Sequence, residues 1–123
     1  MTLSAVMALL LLEAKHFLFD FPLQTQYQSK NKGTYGHSGG ILHSGLHIVG
    51  SADVLAFFGL DLPLLFAILA AEFLIHYHVD WTKAQLVKRI ASDRDDGFWL
   101  IFGLDQFLHH ATYVAIVFAM FSR

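Results

Sequence analysis

Four pairs of histidine and aspartate side chains recur along this sequence at a spacing of four residues. The segments that contain them read HFLFD, HSGLH, HYHVD and DQFLH. On an α-helix, residues four apart lie one turn apart on the same face, so each pair can present two ligand atoms in one direction. Imidazole and carboxylate groups are common ligands of Zn, Mn and Fe in proteins. The eight residues are His16, Asp20, His43, His47, His76, Asp80, Asp105 and His109.

The pairs lie in long apolar segments, which predicts a membrane protein built from helices. The chain has 123 residues, of which 55% are hydrophobic and 15% are charged, whereas soluble domains contain about 25% charged residues. Helices of about 20 residues span a hydrocarbon core of about 30 Å. We therefore predict a single all-α domain, 1–123, that forms a bundle of four transmembrane helices. Their expected ranges are about 3–23, 38–60, 62–81 and 97–121.

The basic residues predict how these helices are oriented. The loops after the first and third helices contain six Lys and Arg residues, and the opposite side contains only Arg123. Because basic loops tend to remain in the cytoplasm, both termini are expected to be non-cytoplasmic. The third loop also suggests a short interfacial helix at about 83–92.

This orientation places all four pairs in the cytoplasmic half of the bilayer, which favours one shared site. A charged side chain inside a span costs at least about 2.5–3.5 kcal/mol, so such residues face the bundle interior and acquire partners. We predict that the eight residues bind one or two divalent ions. Glu13 and Glu72 lie on the same helix faces as the pairs that follow them in the sequence. They are candidate general bases, or acids that hydrogen-bond to the metal ligands.

The leading functional hypothesis is a metal-dependent membrane hydrolase. A bound metal ion lowers the pKa of its water toward neutrality and so generates a nucleophile. The location of the site suggests a lipid-linked phosphate or ester as the substrate. Basic residues around the mouth of the site would attract its anionic head group. These residues are Lys30, Lys32, Lys83, Lys88 and Arg89.

Other functions use the same residues differently. The pairs could form hydrogen bonds between helices in a non-enzymatic subunit of a larger membrane complex, or they could carry protons or ions. Ligation of haem or a pigment by two histidines is a further alternative, which the many nearby acids disfavour. The sequence has no cysteine, which excludes thiolate ligands. It contains no basic stripe or motif typical of nucleic-acid binding.

The order of these motifs resembles a known family, the small bacterial and phage membrane proteins grouped as domain of unknown function 3307. The resemblance rests on HFLFDFPLQTQYQSKNK, LHSGLH, HYHVDWTK and LDQFLH, which together cover almost the whole chain. Phe19 stands where the family pattern has glycine. The resemblance implies a four-helix membrane fold with a shared polar site, expected in a bacterial inner membrane, and it implies no reaction. The site residues that it implies are His16, Asp20, Gln24, His43, His47, His76, Asp80, Asp105, Gln106 and His109.

Overall fold

The computed structural model describes residues 2–90 and 95–122 and contains helices and turns, with no strand in those ranges. The prediction of an all-α fold is therefore confirmed for the described residues. Four of the helices are long and one is short. They are α1 (Leu3–Asp20), α2 (Gln26–Asn31), α3 (Ser38–Phe57), α4 (Leu62–Ile90) and α5 (Asp95–Phe121).

Three helices within the described ranges, α3, α4 and α5, are long and apolar enough to cross a membrane. The prediction of four membrane spans was wrong for α1. This helix has 18 residues, and Glu13, Lys15 and Asp20 make it more highly charged than a typical span. Of the basic residues used to orient the helices, Arg94 and Arg123 lie outside the described residues.

Local sequence explains where the helices end. Pro22 follows α1, and Gly59, with a φ of 70°, follows α3, so both helices end three residues earlier than predicted. In contrast, α4 continues to Ile90 as one helix, where the sequence suggested a stop at 81 and a separate interfacial helix. No proline or glycine interrupts it between Trp81 and Ile90. The last two residues of that expected helix, 91 and 92, lie outside the described residues.

The long helices form a ring in which α1 packs on α3, α3 on α4, α4 on α5, and α5 on α1. One end of this bundle is apolar. It combines the beginnings of α1 and α4 with the ends of α3 and α5. Its buried core consists of Ala5, Ala8, Leu12, Leu55, Ile68, Tyr113, Ile116, Val117 and Met120. The interior of the opposite end is therefore left to the polar residues of the same four helices.

The short helix α2 was not predicted. Thr25 caps it by accepting a hydrogen bond from the backbone N–H of Gln28, and α2 packs against α3. The helices approach closely at Gly39, where a Cβ atom would lie 2.7 Å from the carbonyl oxygen of Tyr27. A similar approach accommodates Phe19, the residue that departs from the family pattern. Its ring would lie 2.7 Å from a Cβ at Gly50.

We expect Gly39→Ala to lower the stability of the protein by about 1–3 kcal/mol, because the added methyl group forces α2 away from α3. Gly45→Ala is the matched control, since a Cβ on Gly45 meets no atom within 4 Å. Thermal unfolding of both variants in detergent would measure the difference. Equal melting temperatures for the two variants would contradict the close contact at Gly39.

Candidate metal centre

The structure brings the eight predicted ligand residues together in the polar half of the bundle. Each of α1, α3, α4 and α5 contributes two of them, one turn apart. All eight side chains are buried, and none of these residues is more than 6% exposed. Because the helices alternate in direction, the pair at the end of α1 and the pair in the middle of α4 meet the pair in the first half of α3 and the pair near the middle of α5.

Three overlapping groups within the described residues could each bind a metal ion. Within each group, the candidate ligand atoms all lie within 4.8 Å of one another. His76 belongs to the first two groups and His109 to the last two. Together the groups contain all eight predicted ligands. The first is Asp20, His43, His47 and His76; the second is His16, His76 and His109; the third is Asp80, Asp105 and His109.

In the first group, Asp20 Oδ1 lies 3.0 Å from Nε2 of both His43 and His47. The ring of His76 packs 4.0 Å from the ring of His47, measured between centroids. Neither ring nitrogen of His76 has a hydrogen-bond partner among the described residues, although Nε2 lies 3.4 Å from Asp80 Oδ2. A buried nitrogen without a partner is costly, so His76 has a free lone pair that a metal ion could use.

Gln28 of α2 orients the ring of His43. The amide oxygen of Gln28 accepts a hydrogen bond of 3.0 Å from His43 Nδ1, so Nε2 of a neutral ring carries a lone pair. That lone pair faces Asp20 Oδ1 at 3.0 Å and Asp80 Oδ2 at 3.3 Å. A lone pair between two carboxylates requires a cation, which can be a proton, a metal ion or the ammonium group of Lys32, 3.5 Å from Nε2. Support of the distal ring nitrogen by an amide oxygen is typical of metal-binding histidines.

His16 belongs to a series of hydrogen bonds in which each group donates to the next, from Lys15 to Asp105. Lys15 Nζ donates to Tyr113 Oη at 3.0 Å, and the hydroxyl of Tyr113 can then donate to His16 Nδ1 at 3.1 Å. His16 Nε2 in turn donates to Gln106 Oε1 at 3.2 Å, and Gln106 Nε2 donates to Asp105 Oδ2 at 3.0 Å. Both ring nitrogens of His16 are therefore engaged, and His16 can bind a metal ion only by exchanging one of these hydrogen bonds for it.

Three lysines form ion pairs with carboxylates in this half of the bundle. The distances from Nζ are 2.8 Å for Lys15 to Glu72 Oε1, 3.2 Å for Lys32 to Asp80 Oδ2, and 3.6 Å for Lys83 to Asp105 Oδ2. Lys32 and Lys83 thus lie inside the site, where the sequence suggested that they would surround its mouth.

The two candidate catalytic acids have different surroundings. Glu72 is 1% exposed, and its Oε1 accepts hydrogen bonds of 2.8 Å from both Lys15 and Ser51. Its second oxygen, Oε2, has no hydrogen-bond partner within the described ranges. Glu13 instead contacts His110 at the partly exposed edge of the bundle. Neither glutamate belongs to any of the three candidate groups.

Sequence reasoning did not assign Ser51, Tyr113 or Gln28 to the site. Ser51 lies four residues after His47, and Tyr113 lies four residues after His109, so extending the same spacing by one turn would have found them. Gln28 gave no such signal because it lies on the unpredicted helix α2. The side chain of Gln24, implied by the family pattern, donates to the backbone oxygen of Asp20.

Comparison with known proteins gives a family and no function. The family model described as "Protein of unknown function (DUF3307)" matches residues 6–123. No curated protein and no solved structure matches the chain.

The buried pair of Lys15 and Glu72 lies between the apolar and polar halves, and we expect its loss to be costly. Lys15→Met leaves a buried carboxylate without its cation, which should destabilise the protein by about 3–5 kcal/mol. Adding Glu72→Gln to Lys15→Met should recover part of this loss, because no unpaired charge then remains. Unfolding of both single variants and the double variant in detergent would measure the coupling. Strictly additive losses would contradict a direct interaction between the two side chains.

Proposed function

We propose that this chain, which belongs to the DUF3307 family of unknown function, is a membrane protein with a buried metal centre. The eight histidine and aspartate residues of the three candidate groups are its proposed ligands, for one or two ions of Zn, Mn or Fe. The proposal includes the earlier expectations of a single membrane domain and of a bacterial inner membrane. Three apolar helices support a location in a bilayer.

The environment of His43 is the observation that best supports a metal. Its Nδ1 donates to Gln28 while its Nε2 faces Asp20 and Asp80. The ammonium group of Lys32, 3.5 Å from Nε2, supplies part of the positive charge that the two carboxylates require, and a metal ion at Nε2 would supply the rest without protonation of the ring. The ring nitrogens of His76 have no hydrogen-bond partner in the described part of the chain. The same metal ion could bind the lone pair of one of them.

We propose hydrolysis as the reaction of this centre. A bound metal ion supplies a water molecule that is acidic enough to act as a nucleophile near neutral pH. Glu72 lies one turn before His76 on the inward face of α4, and its unpaired Oε2 makes it the better candidate to accept a proton. The carboxylate of Glu13 contacts His110, so Glu13 would accept a proton only at the edge of the bundle.

A lipid-linked phosphate or ester remains the proposed substrate class. A groove of about 270 Å³ between α4 and α5 reaches Asp105 and Lys83. Its other walls are mainly apolar, among them Ile75, Leu86 and Leu104. A substrate with an acyl chain could reach the centre by this route from the membrane, with the ammonium group of Lys83 near its phosphate.

The second candidate function is structural. Lys15, Lys32 and Lys83 already neutralise three of the buried carboxylates, as expected for a network that joins helices without a metal. The protein would then be an accessory subunit of a larger membrane complex. This alternative predicts stable, metal-free protein.

Metal content measured on protein purified without chelator or nickel-affinity resin tests the proposal. We expect one or two equivalents in the wild type and less than about a tenth of an equivalent in His76→Ala. His78→Ala is the matched control, because His78 lies on the same helix but contacts Tyr35 outside the candidate groups. Metal-free, folded wild-type protein would refute the metal centre and favour the structural function.

Hydrolysis can be tested with vesicles that contain phosphatidic acid as a lipid phosphate. We expect the reconstituted wild type to release inorganic phosphate, and we expect EDTA or His76→Ala to abolish the release. In the Lys15→Met background, where no unpaired charge remains, Glu72→Gln should keep the metal but lower the rate at least about tenfold if Glu72 accepts the proton. Release that continues in EDTA would count against a metal-dependent reaction.

A further inference from the structure

The carboxylates of the centre differ in the cations that accompany them. Asp80 and Asp105 each have a lysine within 4 Å, and they share Nε2 of His109, which lies 3.2 Å from Asp80 Oδ1 and 3.3 Å from Asp105 Oδ1. Asp20, within the described ranges, has no lysine at ion-pair distance. Its partners are histidines and Gln106.

The two lysines reach this acidic group from different parts of the chain. Lys32 follows α2 directly and is only 9% exposed, which is unusual for a lysine in a connecting segment. Its ammonium lies 3.2 Å from Asp80 Oδ2 and 3.5 Å from His43 Nε2. Lys83 extends from α4 over the ring of Phe102, at 5.2 Å from its centroid, to reach Asp105.

Charge limits how many further cations this region can accept. Among the described residues, four buried carboxylates, those of Asp20, Glu72, Asp80 and Asp105, face three ammonium groups, which leaves one net negative charge when the histidines are neutral. One divalent ion would change this to one net positive charge. A second divalent ion would leave an excess of positive charge in a low-dielectric interior, which is strongly unfavourable.

We propose that Lys32 and Lys83 act as built-in cations of the Asp80–Asp105–His109 group and restrict the centre to a single divalent ion. That ion binds at the first group, formed by Asp20, His43, His47 and His76. The inference rests on the proposed metal centre and specifies its stoichiometry and position. The third group resembles a second metal site in its ligands, but lysine side chains satisfy its charge.

Zinc equivalents bound by the full chain in detergent, measured by equilibrium dialysis, test this inference. We expect one equivalent for the wild type and two for the Lys32→Met/Lys83→Met variant, in which Met keeps most of the apolar volume. Lys30→Met/Lys88→Met is the matched control and should bind one equivalent. Lys30 and Lys88 are exposed residues of the same two regions of the chain.

A second pair of variants covers the case in which the double lysine variant fails to fold. Lys83→Met alone removes the more accessible lysine, whose side chain is 22% exposed, and should bring zinc binding above one equivalent. Asp20→Asn should remove the single ion of the wild type. Two equivalents in the wild type, or one equivalent in every folded lysine variant, would overturn the inference and leave the metal centre intact. No zinc in the wild type or in any variant would overturn the proposed function itself.

Discussion

The compensation of buried charge is the constraint on which this structure depends. Four carboxylates lie in the interior of one half of the bundle, where an unpaired charge costs several kcal/mol. The lysine and histidine partners lie mostly on other helices: Lys15 of α1 reaches Glu72 of α4, and Asp20 of α1 reaches His43 and His47 of α3. Each long helix therefore has to keep its rotation and its depth relative to its neighbours, because sliding one turn would separate several pairs together.

The two halves of the bundle contribute differently to this arrangement. The apolar half provides close packing, but apolar contacts specify register weakly because they are not directional. The polar half specifies register through directional contacts over short distances. Lys15, Ser51, Glu72 and Tyr113 form the layer where the halves meet, and their hydrogen bonds link the apolar core to the histidines beyond it.

The sequence was sufficient to predict the all-α fold and the convergence of the eight buried residues, because helical spacing and alternating helix direction are properties of the chain itself. It was insufficient for features that depend on tertiary contacts. The lysines are an example: Lys32 belongs to a polar connecting segment, and only the packing of α2 on α3 brings its ammonium to Asp80. The number of membrane spans was predicted wrongly because the apolar average of the first segment outweighed its three charged residues. Two of these residues, Lys15 and Asp20, have buried partners on other helices.

The order of the helices along the chain has a consequence for folding. The last of the described helices, α5, supplies Asp105, His109 and Tyr113, which are partners of residues on α1 and α4. Until α5 packs against α1 and α4, His16 lacks the tyrosine hydroxyl and Lys83 lacks its carboxylate. The polar contacts of the earlier helices are therefore completed only when α5 closes the ring, so closure of the ring and compensation of the buried charges occur in the same step.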